Sequence, residues 1–75
     1  MIDVTFDYSK LKGKIKEVFG TQSAFAAEMQ MSRVSLSKKL NNKMQFSQKE
    51  IDRAVDLLKI KKEEIPVYFF TPKVQ

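Results

Sequence analysis

The stretch that decides the fold is residues 22–41, which read QSAFAAEMQMSRVSLSKKLN. Phe25 and Met29 stand four residues apart, and so do Leu36 and Leu40. Apolar residues at this spacing lie on one face of an α-helix and predict that the face is buried. The pattern therefore predicts two short amphipathic helices in succession, each with its own apolar pair.

The boundary between these helices is also readable. Ser32 is a favourable N-cap residue, and Met31 and Leu36 are spaced as a hydrophobic staple across the start of the second helix. We predict a helix over residues 22–29, a tight turn at positions 30 and 31, and a helix over residues 33–41. Two short helices joined by such a turn form a helix-turn-helix unit, whose second helix can enter the major groove of DNA.

Two longer helices flank this pair. The first is predicted to begin at Asp7 or Ser9 and to end at Phe19, because its apolar residues recur with helical spacing. The other is predicted from Ser47 and Glu50, which have the spacing of a capping box before an apolar helical pattern.

The terminal segments follow a different pattern. Apolar and polar residues alternate over residues 2–8, as in a half-buried strand, and residues 67–71 are aromatic and β-prone. We predict that these segments pair as a small antiparallel ribbon beside the helices. A further turn or two of helix over residues 61–65 brings the total to about five short helices. The expected architecture is thus a mainly α, single helix-turn-helix DNA-binding domain spanning residues 1–75.

Composition restricts the function. The 75 residues include no Cys and no His, which removes the commonest general base and two common metal ligands. We therefore expect no enzymatic activity, no cofactor and no metal site. Fourteen Lys and Arg residues against nine Asp and Glu residues give a net charge of +5, which suits an anionic partner. We expect a cytoplasmic protein that does not bind membranes, because there is no signal-peptide pattern and the apolar faces are needed for the core.

One face of the 33–41 helix lies opposite Leu36 and Leu40 on a helical wheel. It carries the residue types that read bases, since Arg and Lys bind guanine, Asn binds adenine and apolar groups contact the thymine methyl. We predict that this surface enters the major groove. We call it the recognition face, and it consists of Arg33, Val34, Ser37, Lys38 and Asn41.

Phosphate contacts are predicted around this face. Gln22 opens the first helix of the pair, where its amide could meet a phosphate. Ser32 precedes the recognition face, and Asn42 and Lys43 follow it, so these three residues could hold the DNA backbone. Lys39 is equally compatible with a solvated surface position and with a phosphate contact. Four other basic residues are interpreted as surface charges: Arg53, Lys59, Lys61 and Lys62.

Residues 22–37 resemble the helix-turn-helix of phage repressors and Cro-type proteins. The longer pattern, from FDYSKL at residues 6–11 through SLSKKLNNK at residues 35–43 to YFF at residues 68–70, resembles small early-region proteins of temperate phages of Gram-positive bacteria. The resemblance implies a lambda-repressor-like, five-helix fold and a role in the lysis–lysogeny switch of a phage in its bacterial host. It also implies that Gln22 holds a phosphate and that Arg33, Val34 and Lys38 face bases.

The leading hypothesis is a Cro-like repressor that binds double-stranded operator DNA, as a monomer or weak homodimer that pairs on the DNA. The alternative is a modulator of repression, or antirepressor, that binds the phage repressor protein. A face rich in Arg, Lys and Asn can meet protein acids as well as phosphates, so the sequence leaves both open. One departure from the resemblance is Gln30, which stands where such motifs usually have Gly, and which predicts a slightly remodelled turn.

Overall fold

A computed structural model of the protein describes residues 5–73. In chain order its elements are α1 (Ser9–Phe19), α2 (Gln22–Glu28), α3 (Arg33–Leu40), α4 (Gln48–Leu58), a 3₁₀ turn (Lys62–Glu64) and α5 (Ile65–Phe69). This order confirms the predicted mainly α fold with five short helices. Across residues 5–73, no helix has the length and apolar character needed to cross a membrane.

A single apolar core joins all five helices. The predicted pairs on α2 and α3 are buried in it, which confirms that each helix turns its apolar face inward. Burying such a side chain contributes about 1.5–3 kcal/mol, and this is what holds helices that are too short to be stable alone. The largest fully buried side chains are Leu11, Ile15, Phe25, Leu36, Leu58 and Phe69.

Side-chain caps start three of the helices. Thr21, Ser32 and Ser47 each accept a hydrogen bond from the backbone N–H three residues later, at the starts of α2, α3 and α4. The Glu50 side chain also accepts from the Ser47 backbone N–H, which confirms the predicted capping box. The starts of these helices are therefore set by local sequence.

The turn between α2 and α3 keeps its left-handed geometry without glycine. Gln30 has φ 59°, and the N–H of Met31 donates to the carbonyl oxygen of Ala26 at 3.0 Å. A non-glycine residue in this conformation costs about 1–2 kcal/mol. Gln30 adopts this conformation despite the cost, and the remodelling of the turn stays a prediction.

The terminal segments meet, but in a shorter contact than predicted. The described part of the ribbon is one antiparallel bridge between Phe6 and Pro72, and the predicted strand residues before residue 5 lie outside the described residues. The prediction of β structure over residues 67–71 is wrong, because α5 occupies most of that segment. Pro66 sits in the first helical turn, where its fixed φ favours a helix, and Phe69 is fully buried on the inner face of that helix.

Arg53 on α4 is more than the surface charge that its sequence position suggested. Its Nε donates to the carbonyl oxygen of Glu28 at 2.9 Å. This bond satisfies a carbonyl at the end of α2, where intrahelical partners run out. It links α4 to α2 directly.

Candidate functional site

The recognition face lies on the solvent side of α3. Val34 is 64% exposed, although an apolar side chain of this size usually belongs to the core. Arg33 and Lys38 flank it and are exposed as well. The ion pairs among residues 5–73 are Lys14–Glu17 and Lys39–Glu50, so neither cation of the face is engaged by a described carboxylate. The two cations can meet a phosphate backbone or an acidic protein surface, and Val34 between them offers an apolar contact.

At the C-terminal end of the recognition face, Ser37 and Asn41 are joined by hydrogen bonds. The Nδ2 of Asn41 donates to the carbonyl oxygen of Ser37 at 2.9 Å and to the Ser37 hydroxyl oxygen at 3.3 Å. Asn41 is the C-cap residue of α3, and these bonds occupy its amide nitrogen. Base reading by either residue stays a prediction, and it would require this pair to reorganise.

The predicted phosphate residues have different surroundings. Gln22 is half-buried and lines a cleft of about 290 Å³ between α1 and the start of α2, together with Lys12 and Lys16. The Ser32 hydroxyl is engaged as the α3 N-cap, whereas Lys43 is exposed. The two α1 lysines beside Gln22 were not singled out from the sequence, because only the packing of α1 against α2 brings them there.

Asn42 has an internal role that the sequence did not reveal. Its Oδ1 accepts from the backbone N–H of Phe6 at 3.0 Å, and its Nδ2 donates to the Phe6 carbonyl oxygen at 2.9 Å. The amide is half-buried between the end of α3 and the N-terminal segment. A phosphate contact by this side chain stays a prediction, but both of its polar atoms already have partners.

Lys39 contradicts both interpretations drawn from the sequence. Its residue surface is only 5% exposed, and its Nζ lies 3.1 Å from the Gln45 carbonyl oxygen and 3.1 Å from Glu50 Oε1. It is therefore neither a solvated lysine nor a phosphate ligand. The ammonium joins the last turn of α3 to the capping box of α4, and its aliphatic stem is part of the packed interior.

The same contact perturbs Glu50. Partial burial acts to raise the pKa of its carboxyl group, but hydrogen bonding from the Ser47 backbone and the interaction with Lys39 outweigh burial. The pKa of Glu50 is therefore below its usual value. A carboxyl group with a lowered pKa stabilises the folded state at neutral pH, and that contribution is lost as the pH falls through the folded-state pKa.

We therefore expect the wild type to lose thermal stability below about pH 5, and Glu50→Gln to lose less on acidification. Glutamine keeps the capping hydrogen bond but does not titrate. Thermal unfolding followed by circular dichroism across this range measures the difference. Glu63→Gln, on the exposed 3₁₀ turn, is the matched control and should follow the wild type. Parallel curves for Glu50→Gln and the wild type would contradict the assignment.

An open groove of about 640 Å³ with both polar and apolar walls lies beside the end of α3, between the N-terminal segment, the α3–α4 loop, α4 and α5. Phe70 and Met44 on its rim are 48% and 44% exposed. The Phe70 ring packs edge-on against Phe6, with 5.8 Å between the ring centroids. Sequence reasoning missed the groove because its walls come from four separate segments. We call these residues the aromatic groove: Thr5, Phe6, Tyr8, Asn42, Met44, Gln45, Phe46, Ile51, Phe69 and Phe70.

Comparison with known proteins identifies the family to which the chain belongs. Residues 4–72 match the family described as "Protein of unknown function (DUF739)". The chain belongs to this family. It is also similar to the solution structure of the modulator of repression of the temperate bacteriophage TP901-1 from Lactococcus lactis. The sequences are 46% identical, the TM-score is 0.78, and the match covers 93% of this chain and 95% of that one. None of the curated proteins matched.

These findings bear on the predicted resemblance. The match to a protein of a temperate phage supports the resemblance to small phage regulators, and it extends over nearly the whole chain. It does not bear out the Cro-type assignment, because the matched protein is described as a modulator of repression.

Proposed function

We propose that this DUF739 protein modulates repression in a phage genetic switch by binding the phage repressor protein. The observation that carries the proposal is the 46% identity with a phage modulator of repression over almost the entire chain. This is the alternative that the sequence left open, and the comparison favours it over a Cro-like repressor.

The aromatic groove supports a protein as the partner. Half-exposed Phe and Met side chains on the wall of a concave surface suit the packed centre of a protein interface, where aromatic residues and Met are enriched. A DNA backbone offers no matching apolar group, because its contacts with proteins are mainly polar and charged. We propose the repressor as the occupant of the groove, with Phe70 and Met44 as its apolar anchors.

The second candidate function is binding to operator DNA through the recognition face. The specific observation in its favour is Val34, which is 64% exposed between Arg33 and Lys38. On this proposal Val34 contacts a thymine methyl group and the two cations meet guanine bases or phosphates. Both functions can coexist, since the groove and the recognition face use different residues.

The decisive experiment uses the purified chain, the repressor encoded beside its gene and the DNA that flanks the gene. Isothermal titration calorimetry should show binding of the chain to the repressor. In a mobility-shift assay, addition of the chain should change the fraction of operator bound by a fixed amount of repressor. A repressor that neither binds the chain nor changes its operator occupancy would exclude the main proposal.

The DNA candidate has its own measurable signature. Each phosphate neutralised by the protein adds about −0.9 to the slope of log K against log salt concentration. If the recognition face binds the flanking DNA, a few phosphate contacts should give a steep slope in a salt titration of the wild-type chain alone. A flat titration, or no shift at low salt, would remove DNA as a direct partner and leave the repressor proposal intact.

A further inference from the structure

Asn42 holds an unusual position just past the end of α3. Its backbone has φ 61°, in the left-handed region, where a residue other than glycine costs about 1–2 kcal/mol and Asn is tolerated better than most. Glycine would fit this backbone at lower cost. The side chain compensates, because both of its polar atoms bond the main chain of Phe6, 36 residues away in sequence.

These two bonds imitate strand pairing. On its other edge, the segment around Phe6 pairs with the C-terminal segment: the Asp7 N–H donates to the Thr71 carbonyl oxygen at 2.8 Å, and the Lys73 N–H donates to the Thr5 carbonyl oxygen at 3.0 Å. Phe6 itself uses its N–H and carbonyl on the Asn42 amide. The N-terminal segment is therefore bonded on both edges, with a side-chain amide in the place of a third strand.

The same loop is attached to the recognition face. The N–H groups of Lys43 and Met44 both donate to the carbonyl oxygen of Lys38, at 2.7 and 3.3 Å. Residues 42–44 thus wrap around the last turn of α3. A displacement of Asn42 would move the turn of α3 that carries Lys38, a cation of the recognition face.

We propose that Asn42 is a positioning residue that couples the paired terminal segments to the recognition face. Its amide fixes residues 42–44 relative to Phe6, and these residues are in turn bonded to the backbone of Lys38. Asn42 itself is not among the buried side chains that form the core of α1 to α5. The role we assign to the amide is therefore to position the C-terminal end of α3.

Asn42→Gly removes the side-chain amide but leaves the left-handed backbone conformation accessible. Glycine accepts the positive φ without strain, so this variant loses the two hydrogen bonds and gains freedom in the unfolded chain, but it adds no backbone strain. We expect hydrogen exchange about tenfold faster at the Phe6, Asp7, Lys43 and Met44 amides, with the core amide of Met29 unchanged. The matched control is Val55→Ala on α4, which should speed exchange at Met29 as much as at the loop.

Asn42→Asp tests the chemistry of the link. At neutral pH its carboxylate can accept from the Phe6 N–H, but its other oxygen faces the Phe6 carbonyl and repels it. Protonation restores a donor at that oxygen. The exchange rates of Asn42→Asp relative to the wild type, compared at the same pH, should therefore converge as the pH falls from about 7 to about 4. A ratio that stays constant or diverges would overturn the role of the amide.

An affinity measurement completes the test, and this arm rests on the second candidate function. With a duplex from the flanking DNA, Asn42→Gly should bind about tenfold more weakly at a temperature where it is fully folded. Unchanged affinity and unchanged exchange at Lys43 would overturn the proposal. If the wild type does not bind the duplex, the DNA candidate fails. The positioning role is then decided by hydrogen exchange and by the ¹⁵N chemical shift of Lys38. This shift should change in Asn42→Gly and stay the same in Val55→Ala.

Discussion

Phe70→Ala is expected to weaken binding of the phage repressor by roughly 30-fold or more. Truncating an aromatic anchor at the centre of a protein interface commonly costs about 2 kcal/mol or more, which corresponds to that factor. The Phe70 ring is half-exposed and its contact in the free protein is the edge-on packing against Phe6. Truncation should therefore change the thermal unfolding midpoint much less than it changes the affinity.

The chain offers a close control for this variant. Val67 is on α5, of which Phe70 is the C-cap residue; it is 40% exposed and does not line the aromatic groove. Val67→Ala should bind the repressor like the wild type. Equal losses for Phe70→Ala and Val67→Ala in calorimetry would mean that the groove is not the binding surface.

The recognition face provides the reciprocal comparison. The double change Arg33→Ala and Lys38→Ala should remove any shift of operator DNA and leave the repressor complex intact. Its charge-matched control is Lys49→Ala with Lys62→Ala, because these lysines are exposed and lie outside the face. If the face change instead breaks the repressor complex, the repressor docks on the recognition face, where truncating buried interface charges commonly costs about 2–5 kcal/mol.

Lys39→Ala is expected to lower the free energy of unfolding by about 2–4 kcal/mol. It removes the partner of Glu50 and leaves a void where the aliphatic stem packed. This is a large part of the stability of so small a domain, since whole domains are stable by about 5–15 kcal/mol. Urea denaturation at neutral pH measures the loss.

Two neighbouring substitutions separate charge from packing. Lys39→Met keeps most of the stem and loses the charge, so its loss of stability should be smaller than that of Lys39→Ala. Lys38→Ala removes an exposed lysine one position earlier and should change the free energy of unfolding by no more than about 0.5 kcal/mol. A loss at Lys39 no larger than the loss at Lys38 would contradict the buried junction.

The sequence by itself determined the parts of this protein that depend on near neighbours. The helices start where Ser32 and Ser47 cap backbone groups a few residues away, and the apolar pairs of α2 and α3 are buried because helical periodicity puts them on one face. The exposure of Val34 follows from the same periodicity. Cap geometry and helical spacing act over three or four residues, so a short window of sequence contains all the interacting groups.

Only the tertiary structure decided the rest. Lys39 is buried with its ammonium group beside Glu50, which α4 brings to it. Asn42 bonds Phe6, which is 36 residues away in the sequence. Residues 67–69 lie in a helix although they are β-prone, because burial of Phe69 against Phe46 outweighs a weak local preference. The aromatic groove exists only where four segments converge. Each of these features depends on partners remote in sequence, and local propensity carries no information about which remote groups will meet.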